Sequence, residues 1–382
     1  MSARVRWLSL ALLGVTPLAL RAQGTLSTQG FGYPPGQLSA RAAATAGALG
    51  EFDPLSPLNP ATIVGSRRSF FTAQAAPEFR SVQGTGAASE RTDTQRIPLL
   101  AAGLRVRGGT LALGVAASTL LDRSWATTSA GSVVIGNETV TTSDRGESKG
   151  AITDLRVAAA YQAHRTVRVG IAAHALTGEN VVVQERTFTD TSRFGGIVDS
   201  ANISYRGSAF TLGVEWTPIR GVGIAASVRR GGDIESVVRD SVRSRATVPA
   251  REGIAVRVDR FGGVALVASL ARTQWTDLRA LGSQRLVVVD AIDQAVGAEF
   301  EGPRLRGRAV QFRTGFRQRD LPFGVFGQSA AVSERSLGAG VGLPLAGEFG
   351  DLDIGLQRAT RSARALGTER AWTVHVGFTI RP

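Results

Sequence analysis

In AWTVHVGFTIRP, residues 371–382, Trp372, Val374, Val376, Phe378 and Ile380 share one parity, and Thr373, His375, Gly377, Thr379 and Arg381 share the other. A strand sends these two sets to opposite faces, whereas a helix scatters both around its circumference. The split recurs upstream. Val310, Phe312 and Phe316 oppose Gln311, Arg313, Gly315 and Arg317, and Val167, Val169 and Ile171 oppose Arg168, Gly170 and His174. Leu337, Ala339, Val341 and Leu343 oppose Ser336, Gly338, Gly340 and Gly342. About fourteen such runs are expected, each near the nine to eleven residues of a tilted membrane strand.

The connections between runs alternate in length. Short links fall at 107–109, 163–165, 217–221, 259–263, 302–307 and 346–350; long polar ones fall at 82–94, 121–150, 177–202, 229–247, 272–290, 318–332 and 359–369. Tight turns at one end of a sheet and large loops at the other are the layout of an outer-membrane barrel, and a soluble sandwich has no physical reason to keep it. Lipid demands that every backbone polar group be paired within the protein, so the sheet closes and its strand number is even. Three hairpins, RVAAAYQAHRTVRVGIAAH, TLGVEWTPIRGVGIAAS and GIAVRVDRFGGVALVAS, repeat one weak pattern of strand, basic turn and Gly/Ala-rich strand. The fold class read from these features is all-β, an antiparallel transmembrane β-barrel.

On the polar parity, Arg156, Glu215, Arg257, Asp293, Glu299, Arg313, Arg317 and His375 are candidates to face the lumen. Opposite charges on neighbouring strands stabilise one another, so Asp293 and Glu299 are expected near Arg313 and Arg317, either as structural pairs or as ligand contacts. Trp125, Trp216, Trp275, Phe300 and Trp372 fall near strand ends, where interfacial girdles and ordinary packing are both open readings. Glycine clusters such as GVGIAAS sit at strand starts, where they ease turns.

The first residues, MSARVRWLSLALLGVTPLALRAQG, have the layout of a cleaved signal peptide over 1–22: Arg4 and Arg6, an apolar run to Leu20, then Ala22. That run is short for a spanning helix and contains Pro17, so membrane anchorage falls to strands. With no Cys, disulfides, thiolate metal sites and Cys nucleophiles are excluded. The formal charge of +13 falls by three, to +10, when Arg4, Arg6 and Arg21 leave with the signal. The arginines are scattered singly and Lys149 is the only lysine, which argues against nucleic-acid binding. His164, His174 and His375 form no metal-ligand spacing, and no nucleophile elbow or phosphate loop occurs, so no enzyme, metal or cofactor is expected.

One stretch breaks the pattern. EFDPLSPLNPATI, residues 51–63, spaces Pro54, Pro57 and Pro60 by three, which bars it from a central strand and leaves a stiff linker or an irregular plug inside the barrel. Within SARAAATAGALGEFDPLSPLNPA, residues 39–61, the residues Arg41, Ala46, Gly47, Ala48, Asp53, Pro54, Asn59, Pro60 and Ala61 are similar to the N-terminal signature of the FadL-type outer-membrane transporter superfamily, which includes PorV-type proteins.

This resemblance implies a monomeric barrel of about fourteen strands, 67–382, whose N-terminal segment, 23–66, folds inward as a hatch with Arg41, Gly47, Asp53, Pro54, Asn59, Pro60 and Ala61 as its motif. It also implies outer-membrane lipids as surroundings and passage of small hydrophobic molecules such as fatty acids. In such proteins a kink in the third strand opens the wall sideways; the third strand here, TLALGVAASTL, carries Gly114 and no proline. The alternative that the resemblance allows is a PorV-like scaffold for secreted proteins. The stretch 121–150 is then either a hairpin for a partner or lid, or an inert loop.

Overall fold

The computed structural model describes residues 26–29, 31–83, 90–106, 109–259, 262–305, 307–324, 331–345, 349–363 and 367–382. The expected signal peptide, 1–22, and the first expected hatch residues, 23–25, lie outside them. So do parts of the expected turns at 107–109, 259–263, 302–307 and 346–350 and of the loops at 82–94, 318–332 and 359–369.

Alternating side chains build fourteen antiparallel wall strands among the described residues. They are β1 (Phe70–Ala75 and Glu78–Gln83), β2 (Glu90–Thr94 and Leu99–Val106), β3 (Leu111–Asp122 and Trp125–Ile135), β4 (Glu138–His164), β5 (Val167–Phe188), β6 (Ile197–Ile219), β7 (Val222–Val238), β8 (Ser241–Thr247 and Arg251–Val258), β9 (Val264–Thr273), β10 (Ala291–Leu305), β11 (Arg308–Leu321), β12 (Val332–Leu345), β13 (Gly350–Ala363) and β14 (Gly367–Ile380). Each pairs with its neighbour in the chain, and β1 closes on β14 with Thr72 opposite Thr379 and Gln74 opposite Gly377. Three of the four split strands break at a proline, Pro77, Pro98 or Pro249, where the ladder lacks a donor.

The parity is inverted relative to a soluble sandwich. Large apolar residues such as Val157, Ile171 and Leu337 are about 60% exposed on the outer face, at 59%, 60% and 60%. Arg361, Glu78, Glu334 and Glu369 are among the most completely buried side chains. An apolar band outside and paired charges inside suit lipid around and a polar lumen within. Trp216, Phe300 and Trp372 belong to the outer face. Trp275 does not: it is buried in the 3-10 helix Trp275–Leu281 between β9 and β10, its ring edge-on to Phe323 at 6.2 Å. Trp125 is half-buried where β3 resumes.

Several expected long loops are strand. The stretches 121–150, 177–202 and 229–247 continue the wall as hairpins, and β4 alone runs for 27 residues, roughly 90 Å of chain at about 3.3 Å per residue. Polar alternation rich in Thr, Ser and Val pairs as well in water as apolar alternation does in lipid. Two of these end in two-residue turns, at 136–137 and 239–240, and the third in the longer link 189–196; Arg239 and Asp240 both adopt positive φ, 49° and 61°, the geometry of a hairpin turn that follows strand twist.

Candidate functional site

The lumen is occupied by the N-terminal segment, which enters from the long-hairpin end and leaves at Ser66, beside the short turns, to become β1. Ser39 caps helix α1 (Ala40–Ala44) by accepting from the Ala42 N–H at 3.0 Å. Asn59 caps the 3-10 helix Pro60–Gly65 by accepting from the Ala61 N–H at 3.0 Å, with Pro60 at the first helical position. α1 lies against β11–β14, and the 3-10 helix against β3–β6.

Mid-strand glycines make this seating possible, while Gly221, in the cluster read as easing a turn, holds φ at 79° in the turn before Val222. A Cβ added at Gly340 would lie 2.6 Å from Ala44 Cβ, and one at Gly170 2.5 Å from Ala61 N; at Gly213 it would overlap Asn59 Oδ1. Gly223 of the GVGIAAS cluster likewise faces the Phe52 ring. Absent side chains leave a channel in which the backbone of the inner segment lies directly on the wall.

The motif residues tie the segment to itself and to the wall. Arg41 grips Glu299 with Nη2 to Oε1 at 2.7 Å and Nε to Oε2 at 3.0 Å, and lies 3.8 Å from Asp53. Asp53 accepts from Ser39, from Ser56 Oγ at 2.9 Å and from the Leu55 N–H at 3.3 Å. Asn59 Nδ2 donates to Val214 O at 3.1 Å and Glu51 O at 3.2 Å. Gly47 holds φ at 97° against Leu38, Ala61 is fully buried, and Pro54 lines a cavity.

Of the wall candidates, Arg313 bridges Glu299, at 2.7 Å, and Asp353, and Arg317 holds Asp293 with Nε to Oδ1 at 2.7 Å. Glu215 pairs with Arg168 at 2.8 Å, and Arg257 with Asp259 at 2.8 Å near the short turns. His375 lies between Gln74 Nε2, 3.4 Å from Nδ1, and Gln357 Oε1, 3.3 Å from Nε2, a pairing that suits a neutral ring protonated at Nε2. Arg156 is buried, and its Nη1 has no hydrogen-bond partner among the described residues.

A second cluster escaped the sequence reading. Glu78, Arg80, Arg96, Asp122, Arg319, Glu334, Arg361 and Glu369 form a buried network around the ring of Tyr33. Parity within β13 and β14 would have placed Arg361 and Glu369 inside had 359–369 not been read as loop. Burial pushes the Tyr33 phenol above its ordinary pKa, against the opposing pull of Arg319 and Arg361, so its hydroxyl stays protonated. Above it, Phe31, Phe323 and Trp275 pack with Leu121, Ile152 and Ile234 into an apolar lid, the Phe31 and Phe323 rings 4.8 Å apart.

Asp154, His174 and Thr211 form a buried relay, Nδ1 to Asp154 Oδ1 and Nε2 to Thr211 Oγ1 both at 2.8 Å. Asp154 also accepts from Gln37 Nε2 at 2.8 Å, which ties the relay to the inner segment.

Space is distributed around these contacts. A polar cavity of about 300 Å³ near the short turns is lined by Arg41, Asp53, Glu299, Arg313, Asp351 and Arg381, and one of about 80 Å³ on the other side by Gln37, Glu51, Arg229, Arg251 and Arg317. On the lipid face a groove of about 550 Å³ crosses β1–β5 between Phe71, Leu100, Val115, Leu155 and Val157, over Ala102, Ala117, Ala173 and Ala175. Behind it a void of about 20 Å³ touches Leu55, Ile63, Phe70, Pro54 and Pro57, and Ala101, Ala102, Val115, Ala116 and Arg156 border both spaces. The third strand does not part from its neighbours there: it stays paired to β2 from Leu111 to Ser118, and its one irregularity toward β4 is a bulge at Leu120.

Fold and interior together define a transmembrane β-barrel closed around an inward-folded N-terminal hatch. Among solved structures it is similar to a FadL homologue of Pseudomonas aeruginosa, with a TM-score of 0.65 at 11% identity, covering 92% of this chain and 99% of that one. It is also similar to the Pseudomonas putida toluene transporter TodX, with a TM-score of 0.58, 11% identity and coverage of 90% and 98%. The monoaromatic hydrocarbon channel CymD matches with 0.56, 12%, and 90% and 97%. At these identities the likeness is one of fold. No family model and no curated protein matches the sequence.

Proposed function

We propose that this protein is an outer-membrane channel that passes small hydrophobic molecules between the barrel interior and the bilayer, acting as a single chain. The observation that carries the reading is the groove on the lipid face with its alanine floor, separated from the void beside the hatch by Ala101, Ala116 and Arg156 on the inner parity. Small side chains there make the wall thin without breaking its ladder, so an apolar molecule crosses where least packing must yield. The hatch, pinned through Arg41, Glu51 and Asn59, blocks free leakage of ions, and the paired charges keep the remaining lumen hydrated. Transport by structurally similar barrels supports the reading; the scaffold alternative draws no support from them.

The test is uptake of labelled toluene and of a labelled long-chain fatty acid by liposomes carrying the protein. Uptake above that of empty liposomes, lost when Ala116→Leu and Ala117→Trp fill void and groove, is expected. Uptake equal to empty liposomes removes the channel reading, and full uptake by the double variant removes this route.

A further inference from the structure

The network around Tyr33 is assembled by the wall. Arg80, Arg96, Arg319 and Arg361 set their guanidinium carbons 5.4, 5.1, 5.1 and 4.4 Å from the ring centroid, within reach of the ring's negative faces. Each guanidinium is neutralised from the wall side: Arg96 by Glu78 at 2.7 Å and Asp122 at 2.6 Å, Arg319 by Glu334 at 2.6 Å, Arg361 by Glu334 at 2.6 Å and Glu78 at 3.0 Å, and Arg80 by Glu78. With Glu369 on Arg361, four cations face four carboxylates, so the ring lies in a pocket of no net charge. The Tyr33 hydroxyl donates to Glu334 Oε2 at 3.0 Å and accepts from Arg319.

Nothing in this cage requires that its ring belong to the chain. Tyr33 supplies a neutral phenol, and the donors exceed it: Nη2 of Arg80 and Nη2 of Arg96, on side chains more than nine-tenths buried, have no hydrogen-bond partner among the described residues. Spare buried donors favour an aromatic that brings oxygen over a plain hydrocarbon. Zero net charge favours a neutral hydroxyl over a carboxylate, which would enter with an unbalanced charge.

The tether is local. Tyr33 is held to the wall by two backbone hydrogen bonds with Asp122, 2.7 and 2.8 Å, and is followed by Pro34, Pro35 and Gly36 at φ 107°. Cavities of about 30 and 80 Å³ adjoin this stretch on either side.

We propose that the guanidinium cage is a binding site for neutral aromatic alcohols, which Tyr33 occupies until such a molecule displaces it. As a station on a transport route it rests on the channel reading; as a binding site it does not.

The chain contains three tyrosines, so labelling with 3-fluorotyrosine gives three fluorine resonances, with Tyr33 assigned by its loss in Tyr33→Phe and Tyr161, on the lipid face, as the control. Titrating the wild-type protein in detergent with p-cresol is expected to convert the Tyr33 signal saturably to a second, exposed position while Tyr161 stays in place. Toluene, with the same ring and methyl group but no hydroxyl, should leave Tyr33 caged. In Tyr33→Ala, p-cresol should raise Tm and toluene should raise it less.

An unmoved Tyr33 resonance, or equal responses to p-cresol and toluene, overturns the proposal even if Tyr33→Ala does not fold. Liposome uptake is read separately, so displacement without uptake retains the site and removes the channel.

Discussion

Replacing Gly213 by Ala adds one methyl group where the wall meets the hatch. Its Cβ would overlap Asn59 Oδ1, lie 2.8 Å from Pro60 Cδ and 3.1 Å from Asn59 Cγ. Asn59 is the residue least able to give way, because its side chain caps Ala61 at 3.0 Å and donates to Val214 O at 3.1 Å and Glu51 O at 3.2 Å. Overpacking of this kind costs about 1–3 kcal/mol. Losing one or two of those bonds costs about 1 kcal/mol each. The seated hatch therefore loses about 2–5 kcal/mol relative to an unseated one, and at about 1.4 kcal/mol per factor of ten the unseated population rises roughly 30- to 4000-fold.

Ion conductance across planar bilayers reads that population directly, since an unseated hatch opens the charged lumen. In an Asn59→Ala background most of the overlap is gone, so Gly213→Ala should there cost about 1 kcal/mol, a coupling of the size expected for residues in contact. A Gly213→Ala barrel as tight as the wild type, or one whose leak rises equally in both backgrounds, would refute the seating argument.

Other outcomes follow from the same contacts. Glu299→Ala strips the carboxylate that Arg41 and Arg313 share and should cost about 3–5 kcal/mol, whereas Arg41→Ala leaves Glu299 on Arg313 and should cost less; thermal unfolding in detergent ranks them. The closed ladder from β1 to β14 should resist detergent until boiled, so boiled and unboiled samples should migrate differently on a gel. Shortening the β3–β4 hairpin, removing 127–146, should leave Tm and liposome uptake unchanged, because that stretch lies beyond the hatch contacts. In the outer β7–β8 hairpin, Glu235 accepts from Arg206 at 2.8 Å and pairs with Arg245 at 2.8 Å, and the Arg206 hydrogen bond first, then both charges, lower its pKa. Its support for the hairpin is full above the ordinary Glu pKa and lost as pH falls through the lowered one, so amide exchange over 233–247 should quicken on acidification.

The barrel was legible because its cause is local. Trp372 to Ile380 sort by parity whatever surrounds them, and short and long links alternate along the chain itself. Reading 359–369 as loop hid Arg361 and Glu369, since a polar strand beyond the membrane has the composition of a loop. Parity also put Glu299 and Arg313 on one face. It could not show that Arg41, 258 positions away in the chain, shares that carboxylate.

What the sequence by itself determined is the sheet: period-two alternation and proline breaks act between adjacent residues, and a barrel wall needs little more. Only the tertiary structure decided what fills it. Whether a glycine eases a turn or admits a backbone depends on what lies across the lumen, as Gly213 does on Asn59. The four guanidiniums around Tyr33 come from β1, the β2 break, β11 and β13, remote in sequence and brought together by closure of the wall. Buried charges are stable only where such closure supplies their partners, so that cluster exists as a property of the closed barrel and of no segment within it.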